Sequence, residues 1–218
     1  MYKYLAASVA AVFIAGSAQA AVFDFETGFS GGDTPASVTA GGVTATVSTG
    51  DAGHPAMIYD TGVLTGGDTD LVADFALVGT SVFDYDPGNI MIISEDGDSS
   101  DPDDDRNGGV LMFTFLGTLV DLTSVDIFDA ESGGNEIDIW VNGLEVITGL
   151  VTGNHKYDTV DLSAFTGVNS VWFEFGGSGA IDNLAFEAPA PVPVPAALPL
   201  LMAGLGSLGF VARRRKSA

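Results

Sequence analysis

The densest stretch of chemistry-bearing residues in this 218-residue chain is 95–109, EDGDSSDPDDDRNGG. Carboxylates, a carboxamide and glycines in a short loop are what a calcium ion takes: six to eight oxygens on a backbone bent at glycine. Asp103, Asp105, Asn107 and Gly108 stand in the D-x-[DN]-x-[DN]-G spacing of the first half of a calcium loop. The second half is missing. Its twelfth position is Thr114 instead of glutamate, and an alternating run follows where an EF-hand continues into helix. The stretch reads as a calcium-stabilised loop between strands, with Asp101, Asp103, Asp105 and Asn107 as ligands, or else as a solvated run of like charge. Residues 66–70, GGDTD, add Asp68 and Asp70 as oxygen donors if the fold brings them close.

All 29 acidic side chains fall between Asp24 and Glu187, where Arg106 and Lys156 are the only Lys or Arg. Such a charge opposes nucleic acid and anionic membranes, and it favours cations. Self-repulsion destabilises a fold of this kind unless some carboxylates bind metal or face high salt. There is no cysteine, so thiol catalysis and zinc–thiolate sites are excluded. Other catalytic signatures are thin. Gly176-Gly177-Ser178-Gly179-Ala180 lacks the last glycine of a G-x-S-x-G elbow, and His54 and His155 stand isolated in the sequence. A carboxylate-dependent glycoside hydrolase would need two acids in a cleft at catalytic spacing, which so acidic a sequence cannot single out. Trp140 and Trp172 suit either stacking on sugar rings, if exposed, or core or half-buried packing. The reading is non-enzymatic.

The elements that must position these residues are strands. Apolar and alternating runs occupy 22–26, 43–48, 57–59, 90–93, 110–116, 125–128, 137–141, 171–175 and 180–186. Leu111, Phe113 and Phe115 share one face. Ile137, Ile139 and Val141 alternate with Asp138 and Trp140, and Val171, Phe173 and Phe175 with Trp172 and Glu174. Turn pairs such as Asn142-Gly143 bound the runs. No segment carries a 3.6-residue period, and no internal repeat is evident. The fold class is all-β, a β-sandwich of jelly-roll type.

The two ends are of a different kind. Residues 1–20 read as a signal peptide: Lys3, then an apolar stretch, then Ala18-Gln19-Ala20 as a small-x-small cleavage site. The sandwich domain is expected at 21–187. A proline-rich spacer follows at 188–195, extended because proline fixes φ and lacks a donor. Residues 196–212 carry no charge and span roughly 25 Å at about 1.5 Å per residue, close to a bilayer core. They read as a C-terminal transmembrane helix. Arg213, Arg214, Arg215 and Lys216 follow at once and place the 213–218 tail in the cytoplasm.

Val192, Pro193, Val194, Pro195 and Ala196, then the apolar run and the basic cluster, resemble the PEP-CTERM sorting tails of Gram-negative bacteria. The variant signed VPLPA is nearest, with Val194 here where that variant has leucine; the glutamate of the commonest form is absent. The resemblance implies a processing partner of exosortase type and a cell that makes exopolysaccharide. It implies anchorage in the inner membrane with the domain on the periplasmic side, then release to the cell surface or extracellular matrix. The closing segment Gly179-Ala180-Ile181-Asp182-Asn183-Leu184 resembles the last strand of galactose-binding-like jelly rolls. In those, acids near the first and last strands share a structural calcium, which implies Asp24, Glu26 and Asp182 as ligands. The expectation is a sorted surface protein with a binding or structural domain. The alternative is a carbohydrate-binding module for exopolysaccharide, marked by an aromatic strip on one sheet face.

Overall fold

A computed structural model describes residues 19–65, 67, 69–73 and 86–188. The expected signal peptide lies outside the described residues except for Gln19 and Ala20. The spacer, apolar run and basic tail lie outside them from residue 189 onward. Among the described residues there is no helix long and apolar enough to cross a membrane.

Twelve strands are present among the described residues: β1 Gln19–Phe23, β2 Ser37–Ala40, β3 Val43–Thr49, β4 Ala56–Asp60, β5 Asn89–Ile93, β6 Gly109–Phe115, β7 Asp121–Phe128, β8 Ile137–Val141, β9 Leu144–Leu150, β10 Tyr157–Asp161, β11 Ser170–Phe175 and β12 Ala180–Ala188. They form two antiparallel sheets. Sheet 1 runs β10-β7-β12-β5-β4, with β1 also paired to β12; sheet 2 runs β2-β3-β6-β11-β8-β9. The nine expected runs are all strands. The three that the pattern missed, β2, β9 and β10, are edge strands, which bury little and so carry a weak apolar alternation. β1 also ends earlier than the alternation suggests. Asp24 to Glu26 lie beyond it, and Phe25 turns the chain with φ 54°.

The alternating side chains of the two inner faces meet in one core. Phe23 stacks on Phe113 at 6.3 Å and Phe115 at 6.2 Å and packs on Phe186 at 4.9 Å between ring centres. Val171, Phe173, Ile137 and Ile139 extend this core from sheet 2, and Val125, Ile127 and Ile181 from sheet 1. A second cluster covers the outer face of sheet 1: Met57, Tyr59, Ile90, Ile92 and Phe128, capped by Leu71 and Val72. Strands β4 and β5 are buried on both faces, which is why they read as continuous apolar runs. The β8–β9 hairpin turns at Asn142 (φ 52°) and Gly143 (φ 77°), the doubly positive geometry that an Asn-Gly pair supplies.

Phe113 is fully buried against Phe23 and Phe173. Phe113→Ala is expected to lower unfolding free energy by about 3–5 kcal/mol in urea titration. Thr114→Ala, one residue along on the exposed face, is expected to cost less than about 1 kcal/mol.

Candidate functional site

Strand β12 changes partner midway along one edge. Ala180 and Ile181 pair with β5, whereas Leu184 to Ala188 pair with β1, leaving Asp182 and Asn183 at the junction. The opposite edge pairs with β7 and shifts register just after Asp182. Asn183 takes φ 49° there, a conformation asparagine tolerates better than most residues. Its side-chain amide donates to Asp126 Oδ2 and to Asp182 Oδ2, each at 2.9 Å. Asp126 and Asp182 face each other directly across the ladder and are 8% and 2% exposed. Thr159 Oγ1 donates to Asp126 Oδ1 at 2.5 Å. Asp182 Oδ1 is buried with no partner.

Asp24 and Glu26 lie close to the same junction. Glu26 Oε1 accepts the Asn89 N–H at 2.7 Å and packs over Gly88, where a Cβ would come within 2.3 Å of that oxygen. Burial, opposed by the Asn183 hydrogen bond and reinforced by Asp126, Glu26 and Asp24, pushes the Asp182 carboxyl up to about 8. The neighbouring charges that act on it are all carboxylates. The structure thus brings Asp24, Glu26 and Asp182 into one neighbourhood and adds Asp126. That residue was visible in the sequence only as a lone charge inside the apolar run Val125-Asp126-Ile127-Phe128.

A second group of acids lies around Asp104 and Asp129, which are 5% and 1% exposed. Asp104 Oδ2 accepts the Ser178 hydroxyl at 2.5 Å and the Gly179 N–H at 2.6 Å. Burial pushes it up to about 6 against those two bonds, with Asp70 and Asp103 adding repulsion. Asp129 rises to about 8 through burial and the charge of Asp70, opposed by the His155 N–H that it accepts at 2.8 Å. Asp70 Oδ1 and Asp103 Oδ1 are buried without a partner. Burial and the nearby Glu95, Asp96, Asp101 and Asp98 also raise Asp103.

The expected loop ligands do not converge as a set. Asp105 Oδ1 accepts the backbone and side-chain N–H of Asn107 at 2.8 and 2.9 Å, and Asp105 Oδ2 lies 2.7 Å from His54 Nδ1. Asp105 and Asn107 therefore close their own turn, Asp101 is exposed, and Asp68 lies outside the described residues. His54, isolated in the sequence, is paired in the fold; beside it Thr49 spends its hydroxyl on the Asp51 carbonyl at 2.8 Å. Ser178 is committed to Asp104. Among the described residues no group of three or more acid or histidine side chains is already arranged to hold a metal ion.

On the outer face of sheet 2, Trp140 and Trp172 are direct cross-strand neighbours and half-buried. Their ring centres are 6.4 Å apart and their planes 30° apart. Trp140 Nε1 donates to Glu174 Oε2 at 3.0 Å, which fixes the indole. Register continues the row on both sides, through Met112 to Ser48 and through Trp140 to Glu145. The fold gives these tryptophans half-buried packing on the outer face of sheet 2.

Residues 191–216 match the PEP-CTERM protein-sorting motif. The chain carries that motif, which implies an exported, exosortase-targeted protein that is membrane-associated before processing. No curated protein sequence matches the chain. Among solved structures, the CBM35 from Paenibacillus barcinonensis is similar at 15% identity and TM-score 0.31, over 67% of this chain and 99% of that one.

Asp104, Asp129 and Asp182 hold their protons well above the ordinary aspartate value of 3.8. The folded chain therefore binds more protons than the unfolded chain between about pH 4 and pH 8, and stability falls as pH rises through that window. In chelator, the urea midpoint is expected to decline from pH 4 to pH 8. Asp129→Asn, which keeps the acceptor for His155, flattens the upper part of the decline; an unchanged slope would remove Asp129 from this account.

Proposed function

We propose that this chain is a sorted cell-surface or extracellular-matrix protein whose jelly-roll domain is a non-catalytic binding or structural module stabilised by calcium. The observation that carries the calcium reading is Asp182. One of its oxygens is buried without a partner, beside Asp126, Asp24 and Glu26, with no cationic side chain among the described residues acting on it. The donors are carboxylate oxygens, the ligand class of a hard cation. Asp24, Glu26, Asp126 and Asp182 would hold the ion, and its charge would relieve their mutual repulsion and tie the end of β1 to β12. Asp70, Asp103 and Asp104 form a second acidic neighbourhood of the same character. Before processing, residues 196–212 anchor the chain in the inner membrane with the sandwich on the periplasmic side. An exosortase-type enzyme then acts near Val192 to Ala196.

A specific observation favours a second reading, a carbohydrate-binding module for exopolysaccharide. The tryptophan pair lies on an outward sheet face, within 30° of parallel, where sugar rings can stack.

Calcium binding to the folded state alone raises stability by about 2.7 kcal/mol at a hundredfold excess over Kd. In thermal melts of the chain, millimolar calcium after chelation is expected to raise the midpoint by roughly 5–11 °C. Asp182→Asn removes that rise. An equal rise in the variant, or none in the parent, contradicts the site. In cells, Pro193→Ala with Pro195→Ala is expected to leave the chain in the membrane fraction with its tail attached. Unaltered release would place the processing signal elsewhere.

A further inference from the structure

Beside the tryptophan row, Glu136, Asp138 and Glu174 line a groove of about 330 Å³ with Gly134, Gly149 and Gly176. Glu174 and Asp138 are direct cross-strand partners, one step along from Trp172 and Trp140. Each carboxylate is already oriented by hydrogen bonds, Glu136 through both of its oxygens. Glu136 accepts the N–H groups of Gly133 and Gly134 at 2.9 Å, Asp138 Oδ1 that of Gly149 at 2.7 Å, and Glu174 Oε2 that of the Trp140 indole. Asp138 and Glu174 each keep a second oxygen for a ligand. Neither Arg106 nor Lys156 lines the groove. Two indole faces continuous with three fixed carboxylates make a surface that is apolar on one side and anionic on the other.

We infer that this surface binds a glycan bearing free amino groups, a pyranose stacking on the Trp140–Trp172 pair while its ammonium enters the Glu136–Asp138–Glu174 groove. The inference rests on the carbohydrate-binding reading and adds the substrate class. Charge complementarity selects it. An ammonium forms charge-assisted hydrogen bonds to carboxylates and is attracted to indole faces. A uronate or sulfated sugar meets three like charges in the same groove, on a domain with very few bases.

The test uses a property of the sequence. The chain has two tryptophans, and both lie in this row, so intrinsic tryptophan fluorescence of the full chain reports on this surface alone. It is titrated with β-1,4-linked glucosamine oligomers, with the same oligomers N-acetylated, and with galacturonate oligomers. The expected result is a saturable change with glucosamine oligomers at a Kd at least about tenfold below that for the acetylated form, and no response to galacturonate. Asp138→Asn, which keeps an acceptor for the Gly149 N–H, is expected to weaken the glucosamine oligomer several-fold and leave the acetylated one unchanged. Equal binding of amino and acetylated oligomers, or binding of galacturonate, overturns the amino-sugar inference and leaves the carbohydrate reading standing. No response to any oligomer overturns both.

Discussion

The two sheets close on Phe23. It is the last residue of β1, and its ring meets Phe113 and Phe115 from sheet 2 and Phe186 from β12. With no cysteine to staple the chain, apolar burial carries the fold, and aromatic contacts of this kind are among its strongest components. The position of Phe23 also decides where the next residues go. With β1 docked on the second half of β12, Asp24 and Glu26 emerge close to Asp182. The core contact and the acidic neighbourhood are thus two consequences of one strand's placement.

That placement creates an electrostatic problem that the described side chains do not solve. Burying a carboxylate is costly unless a cation or several hydrogen bonds compensate it. Asp182 has one bonded oxygen and one bare one, and its neighbours repel it. Asp129 and Asp104 are also raised by burial, against backbone N–H groups and the Ser178 hydroxyl that they accept. A domain arranged in this way leans on protons at low pH and loses that support as pH rises through the raised carboxyl values.

The two outer faces have diverged. On sheet 1 the outer face is capped by Leu71 and Val72 and holds the buried acids, so it belongs to stability. On sheet 2 the outer face bears a cross-strand row with two half-buried indoles and a carboxylate-lined groove. Glu174 joins the two features, since it both anchors the Trp140 indole and lines the groove. Strong curvature or a covering segment on this face would have hidden the row; antiparallel pairing from β3 to β9 keeps it continuous.

By itself the sequence determined the fold class, nine of the strands and the sorting motif. Each is a local pattern: the two-residue alternation of Leu111, Phe113 and Phe115, the Asn142-Gly143 turn, and the ordered proline, apolar and basic segments at 191–216. β2, β9 and β10 escaped because they have little apolar surface to bury and so leave little pattern. Only the tertiary structure decided which of the described acids are buried and beside one another. The Asp103-x-Asp105-x-Asn107 spacing pointed to one loop; there Asp105 bonds Asn107 within the turn, at little entropic cost, while its pairing with His54 comes from the tertiary fold. Asp126 and Asp182, 56 positions apart in the sequence, became neighbours through the β7–β12 register. Trp140 and Trp172 became a pair through the β8–β11 register. Register is a property of paired strands, and no spacing along a single strand records it.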